Sequence, residues 1–138
     1  METLSNPTEN PVEVFICAHP LAEIRCMYIE GTYIFHKTSF LACTDGVVVE
    51  PAGMFSVGMG SFVECSGKGV VFLAAIGGLL TLTLAANEHF VVENSHIAAI
   101  PDGIRVEVVN LSRGKDGFGV SFTGPGKVFV QAAKHGPM

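Results

Sequence analysis

Imidazole and carboxylate side chains are the groups of this sequence that could bind a metal ion. Their densest set lies in one short stretch: Glu88, His89, Glu93 and His96. On a straight strand His89 and Glu93 share a face, whereas His96 falls on the opposite face. A jelly-roll metalloenzyme would instead carry His-x-His and a nearby Glu on one strand. We therefore keep His89, Glu93 and His96 as weak candidate metal ligands; their ordinary interpretation is as surface or half-buried side chains near a strand end.

Other catalytic and phosphate-binding patterns are incomplete. Three Gly-Lys pairs occur, at 67–68, 114–115 and 126–127. None is followed by Ser or Thr, so none forms the loop that cradles nucleotide phosphates. Either Cys43 or Ser95 could be paired with His96, but neither pair sits in a motif of a nucleophilic enzyme. The sequence predicts no catalytic residue and no cofactor.

Length and charge limit the classes of protein that remain. The chain has 138 residues, 13 acidic against 8 basic side chains and a net charge of −5. That length fits one domain with a sizeable core. The few basic residues are scattered, whereas a nucleic-acid-binding protein needs a clustered basic face. We therefore expect no nucleic-acid partner.

The cysteines and the N-terminus indicate the compartment. Cys17, Cys26, Cys43 and Cys65 form no C-x-x-C pair, which excludes the common zinc and redox motifs. Residues 1–10 are polar and acidic, with neither the charged and apolar regions of a signal peptide nor an Arg-rich transit sequence. We expect a cytoplasmic protein with four reduced, mostly buried thiols.

One uncharged segment approaches the length of a membrane span. Residues 69–87 carry no charged side chain. Leu80, Leu82 and Leu84 alternate with threonines, however, which is the period of a strand and not of a helix. Gly77-Gly78 supplies the turn of a hairpin. The segment therefore predicts two buried strands and no membrane span.

The chain contains an internal repeat. Residues 66–75 and 123–132 both read small hydroxyl, Gly, x, Gly, x, Val, Phe, apolar, x, Ala, at an offset of 57 residues. Upstream, 41–50 matches 97–107 at an offset of 56 that becomes 57 at an extra residue, Pro101. Two blocks in one register indicate a duplication.

We interpret the repeat as two copies, about 21–75 and 77–132, called the first half and the second half. Each half reads as short runs rich in Val, Ile, Phe and Thr, separated by Asp-Gly and Gly-x-Gly turns. This pattern predicts an all-β protein, a β-sandwich of two pseudo-repeated halves. We expect a single domain over 12–132 between flexible tails, 1–11 and 133–138.

The second half also carries a family signature. Its most specific part is Phe-Thr-Gly-Pro-Gly-Lys-Val-Phe-Val-Gln at 122–131, after the runs 94–99 and 103–108. With 40–42 and 67–75 in the first half, it resembles the "altered inheritance of mitochondria" biogenesis family over about residues 24–132. The resemblance implies a TRAP-like β-sandwich, similar to the subunit of the tryptophan RNA-binding attenuation protein. Family members are generally longer, so the chain looks like a minimal version, and the resemblance implies no catalytic residue, cofactor or substrate.

These observations favour a non-enzymatic scaffold or interaction protein. The rival is a small-molecule-binding or metal-dependent β-sandwich enzyme that uses His89, Glu93 and His96.

A compact monomer of this mass exposes about 6,900 Å², and 21 charged side chains are few for that surface. We therefore expect a homo-oligomer, a small ring such as a trimer, in which unlike halves meet head to tail. The Met-rich loop supplies the interface candidates: Met54, Phe55, Val57 and Met59.

Overall fold

A computed structural model describes residues 2–52, 62–111 and 118–133. Ten strands account for most of them: β1 Ala22–His36, β2 Phe40–Cys43, β3 Val47–Pro51, β4 Phe62–Ile76, β5 Leu79–Leu84, β6 His89–Glu93, β7 Ile97–Pro101, β8 Arg105–Asn110, β9 Phe118–Thr123 and β10 Gly126–Gln131. One turn of 3₁₀ helix, Asn94–His96, joins β6 to β7. The predicted all-β class is confirmed.

The strands form two antiparallel sheets that pack on each other. The larger has the order β2-β4-β1-β7-β10-β5, with β3 also beside β4, and the smaller has the order β6-β9-β8. Buried side chains from both sheets meet in one cluster, which includes Ile34, Ile97, Val120, Phe122 and Val128. Burying such side chains is the main source of folding free energy. The predicted β-sandwich is therefore confirmed.

The first half is built on two unusually long strands. β1 and β4 pair along all 15 residues of each, from Ala22–Ile76 to His36–Phe62. Gly31 lies opposite Gly67 near the middle, and both have φ in the left-handed region, at 115° and 121°. Side chains other than glycine rarely adopt that conformation. The two glycines let both strands adopt this backbone conformation without losing their pairing. A second buried cluster packs around these strands: Ile29, Phe35, Val47, Cys65, Val71, Leu73 and Ala99.

The second half has the same order of strands but is interrupted at the corresponding place. β5 pairs with β10, and β6 pairs with β9, so the long pair is divided into two. A Cβ added at Gly124 would collide with the carbonyl oxygen of Ala85, which shows how closely the chain segments approach at the break. β6 and β9 therefore leave the larger sheet and form the separate layer with β8.

The pairings of the two halves have matching registers. Three first-half pairs and three second-half pairs differ by 57 residues at both members: Phe40–Leu73 and Ile97–Val130, Ala42–Phe72 and Ala99–Phe129, Val48–Ser66 and Arg105–Thr123. Even the register shift between the first two pairs of each half recurs. The local offset of 56 upstream of Pro101 is therefore wrong, because Ala42 corresponds to Ala99 and no residue is inserted.

The uncharged segment 69–87 contains the end of β4 and all of β5, joined at Gly77-Gly78 as predicted. The two strands do not form a hairpin, however, since β5 pairs with β10. Likewise, the Asp-Gly turn at 45–46 joins β2 and β3, which both pair with β4 and not with each other. Long β4 occupies the position that a hairpin partner would take. Within the described residues, no helix is long and apolar enough to cross a membrane.

Candidate functional site

Glu93, Ser95 and His96 meet at the junction of β6 and the 3₁₀ helix. The Ser95 hydroxyl donates to Glu93 Oε2 over 2.5 Å, so it is not directed at the imidazole as a nucleophile would be. His96 Nε2 lies 3.8 Å from the same carboxylate oxygen. His96 Nδ1 donates to the main-chain oxygen of Gln131 over 3.0 Å. The imidazole is held between two elements of the fold, in the manner of a structural side chain.

Gln131 is the centre of this network. Its side chain is 2% exposed, and its Oε1 accepts from the N–H of Ile76 over 3.0 Å. Its Nε2 donates to the carbonyl oxygen of Ser95 over 2.8 Å. One amide thus satisfies two backbone groups on different segments, which would otherwise cost free energy on burial. The network ties the end of β4 to the 3₁₀ helix.

His89, the third candidate ligand, makes a separate contact. Its Nδ1 lies 2.9 Å from Thr123 Oγ1, across the β6–β9 pair. In the segments 2–52, 62–111 and 118–133, no three side chains of the His, Cys, Asp and Glu types come close enough to hold a metal ion. The structure therefore brings Glu93 and His96 together but does not add His89 to them.

All four cysteines are free thiols. Cys65 is buried and Cys43 is half-buried, but Cys17 and Cys26 are exposed, so the prediction of mostly buried thiols is wrong for the latter two. Cys17 lies in the coil before β1, and Cys26 lies on an uncovered face of β1. Burial raises the pKa of Cys65 to about 12, with smaller contributions from Cys43 and Glu64, and burial also raises the pKa of Cys43. Neither of these thiols is an activated nucleophile at neutral pH.

A groove lies between the N-terminal segment and strands β2 and β3. Apolar side chains such as Leu4, Ile16 and Phe40 contribute much of its lining. Among the lining residues, the carboxylates are those of Glu2 and Asp45. A binding pocket for a small molecule usually adds convergent polar groups to such a lining. This groove offers an apolar surface with little that would orient a ligand.

A second apolar surface lies on the first half, on one face of β1 and β4. Ile24, Cys26 and Tyr28 alternate along β1, opposite residues of β4. Residues directly opposite share one face of a sheet. Together they form the β1–β4 face, in which the β1 side chains are exposed, Val70 and Phe72 are half-buried and Ala74 is buried: Ile24, Cys26, Tyr28, Val70, Phe72 and Ala74. Ile24 and Tyr28 are 48% and 57% exposed, which is unusual for a cluster of this composition.

Five strands pair with one other strand only in the part of the chain that the structure describes: β2, β3, β5, β6 and β8. Two of these open edges belong to β2, which pairs with β4, and to β6, which pairs with β9. Residues 42–44 and 90–92, at these edges, contain no charged residue and no proline. Open edges usually carry such residues, because unpaired backbone groups otherwise recruit another strand. Phe90 and Val91 are each 48% exposed.

The interface candidates Met54, Phe55, Val57 and Met59 lie outside the described residues. The β1–β4 face and the edge of β6 are the surfaces that the sequence interpretation missed. A signal was present for the first, since residues 26–29 are apolar at both strand parities. A strand that is apolar on both faces is typical of one covered on both sides. The edge of β6 leaves no such signal, because the pairing partner of a strand depends on the fold.

Comparisons with known proteins agree with this architecture. The family model described as "Mitochondrial biogenesis AIM24" matches residues 1–133. The chain belongs to this family. A comparison with curated proteins finds no significant match. The predicted family resemblance is therefore confirmed.

A solved structure shares the fold of this AIM24-family chain. It is the crystal structure of protein SPYM3_0169 from Streptococcus pyogenes, with a TM-score of 0.68 and 19% sequence identity. The match covers 81% of this chain and 55% of that one, so this chain spans about half the length of that neighbour. At such identity the likeness concerns the fold alone. The predicted likeness to the attenuation protein subunit stays a prediction.

Proposed function

We propose that this AIM24-family chain is a non-enzymatic scaffold or interaction protein that works as a homo-oligomer. The observation that carries the proposal is the exposed β1–β4 face, together with the uncharged edges of β2 and β6. Exposed apolar side chains in one contiguous patch mark interaction surfaces more often than they mark catalytic sites. The titratable groups support the same interpretation, since Glu93, Ser95 and His96 are engaged in contacts that hold the fold together.

The size of the molecular surface supports an assembled state. The isolated subunit exposes 8761 Å², against about 6,900 Å² for a compact monomer of its mass. Part of the excess comes from residues 2–21, which run without strand or helix. Exposed apolar side chains of the larger sheet, such as Ile24 and Tyr28, also contribute. A specific interface of standard size would cover about 800 Å² on each subunit.

Native mass spectrometry with metal analysis tests the proposal. We expect a metal-free homo-oligomer, with a trimer as the favoured subunit number. His96→Ala should leave both the subunit number and the metal content unchanged, because His96 is a structural side chain here. A single 14.6 kDa species at micromolar concentration, or stoichiometric metal that His96→Ala removes, would contradict the proposal. The latter result would favour the metal-dependent enzyme.

Other expectations from the sequence stay predictions. They are the cytoplasmic location, the absence of a nucleic-acid partner, and the single domain 12–132 between flexible tails. The correspondence of the two halves is also proposed to be structural. Superposing 35–75 on 90–132 should then place Phe72 on Phe129 and Asp45 on Asp102.

A further inference from the structure

One strand pairing of the first half has no counterpart in the second. The C-terminal part of β1 pairs with β7 through Tyr33–Pro101, Ile34–Ile100 and Phe35–Ala99. This pairing joins the two halves within the subunit. The outer edges of β6 and β2 make no such pairing in the described residues.

Register identifies the positions that correspond to this junction. Phe35 lies opposite Val63 on β4, and Val92 lies opposite Val120 on β9, which are the same two positions 57 residues apart. Residues 33–35 therefore correspond to residues 90–92 of β6. By the matching registers of Ala42 and Ala99, residues 99–101 of β7 correspond to residues 42–44 at the end of β2.

Corresponding residues differ sharply in exposure. Ile34 is 6% exposed at the internal junction, while its counterpart Val91 is 48% exposed. Tyr33 is half-buried and its counterpart Phe90 is 48% exposed, whereas Phe35 and Val92 are both buried. The same contrast holds on the other strand, where Ala99 is fully buried and Ala42 is half-buried. The residues at the open edges of β6 and β2 thus resemble those of the internal β1–β7 junction in composition, but no strand pairs with them in the described residues.

We propose that β6 of one subunit pairs with β2 of another, in the antiparallel register of the internal junction. The inference rests on the proposed homo-oligomeric function and gives it a specific interface. The occupant is a second copy of this chain, because the internal junction already shows which sequence fits each edge. Val91 lies opposite Cys43, Phe90 opposite Thr44, and Val92 opposite Ala42.

Backbone geometry supports this register. The N–H of Asp102 donates to the carbonyl oxygen of Thr32 over 3.1 Å, at the end of the internal junction. Hydrogen-bonded pairs recur at every second position of an antiparallel ladder. Ile34 and Ile100 are therefore the next hydrogen-bonded pair of the internal junction.

The corresponding pair at the interface is Val91 and Cys43, whose backbone groups face the open edges. Side-chain packing has a counterpart as well. Phe129, beside the internal junction, packs partly buried against the cluster of Phe35 and Ala99. Phe72, at the corresponding position of the β1–β4 face, would gain the same kind of cover from the neighbouring subunit. Contacts of this type run head to tail and close into a ring if the rotation permits.

Disulfide trapping tests the register. In a background with Cys17→Ser and Cys26→Ser, Val91→Cys should form a bond to Cys43 of another subunit on mild oxidation. Hydrogen-bonded pairs have Cα atoms about 5.5 Å apart, within the range that disulfides span. The product is a covalent dimer or larger species on a non-reducing gel, lost when Cys43→Ala is added. Absence of this bond in a protein that native mass spectrometry shows to be oligomeric overturns the register.

A matched pair of substitutions tests the interface without cross-linking. Val91→Lys places a charge at the proposed interface and should reduce the assembly to single subunits. Val48→Lys is the control: Val48 is 55% exposed on edge strand β3, and its counterpart in the second half is Arg105. It should leave the subunit number unchanged. Equal effects of the two substitutions overturn the inference, whereas a monomeric unmodified protein overturns the proposed function itself.

Discussion

The first and second halves have the same order of strands but differ in the layers that they build. In the first half, β1 and β4 stay paired past Gly31 and Gly67, and β3 remains in the larger sheet. In the second half, the pair is divided, and β6, β9 and β8 form a layer of their own. The difference teaches that one strand order gives different layers when the long pair is continuous in one half and divided in the other.

Local hydrogen bonds hold the break in place. Glu88 Oε1 accepts from the N–H of Ala85 over 2.9 Å, and the main-chain oxygen of Glu88 accepts from the N–H of Gly124. Asn87 adopts φ of 64°, a conformation that asparagine tolerates better than most residues. The first half has glycines at the corresponding place, with no side chain to make such contacts, and the two strands stay paired.

The largest effect is expected from the two buried clusters. Phe35→Ala in one and Phe122→Ala in the other should each lower the free energy of unfolding by about 3–5 kcal/mol, because both rings are fully buried. The clusters share the larger sheet, so we expect one unfolding transition for either variant in urea, followed by circular dichroism. Two separate transitions would mean that the halves fold independently and would break the comparison.

The next effect concerns the two glycines with positive φ in the first half, Gly31 and Gly67. Gly31→Ala should cost about 1–3 kcal/mol of stability, since it forces a left-handed φ on alanine in otherwise open space. Gly67→Ala should cost more, because its Cβ would also collide with the carbonyl oxygen of Gly46. Thermal unfolding of the two variants gives the ranking. Equal costs would show that the close approach to Gly46 relaxes freely.

A smaller effect is expected at the link between the halves. Gln131→Leu leaves the N–H of Ile76 and the carbonyl oxygen of Ser95 without their partner. The expected loss is about 2 kcal/mol, measured by urea unfolding. His96→Ala removes one hydrogen bond, and the expected loss is about 1 kcal/mol. A larger loss for His96→Ala than for Gln131→Leu would contradict the role assigned to Gln131.

The smallest effect is a pH dependence that distinguishes the buried from the exposed thiols. The pKa of Cys65 rises from 9.0 to about 12 on folding. The unfolded chain therefore loses this proton first, and the contribution of Cys65 to stability is full below pH 9 and falls as the pH rises toward 12. Unfolding free energies at pH 8 and 10 should show this slope. Cys65→Ala should reduce it and leave the part that comes from Cys43, whose pKa burial also raises.

The strands, the all-β class and the family could be predicted because they depend on local patterns. The alternation of Leu and Thr before Leu84 predicts a strand, and the paired glycines predict a turn. Both signals are local, so they do not depend on which strands pair with each other. The partner of each strand could not be predicted. The Asp45-Gly46 turn suggests that β2 and β3 pair with each other, but both of them pair with β4. The approach of His96 to Glu93 could not be predicted either, since it depends on the 3₁₀ helix that follows β6, while His89 lies at the other end of that strand. The open edge of β6 could not be predicted either, because it results from the division of the long strand pair at Glu88 and Gly124.

Amide hydrogen exchange at the two junctions tests the account most directly. Residues 33–35, inside the subunit, and residues 90–92, at the proposed interface, are compared in one sample of the unmodified protein. We expect similar protection of the amides of Ile34 and Val91. In Val91→Lys, protection should be lost at residue 91 and at its partner Cys43, while Ile34 stays protected. Fast exchange at Val91 in the unmodified protein, with Ile34 protected, would contradict the account.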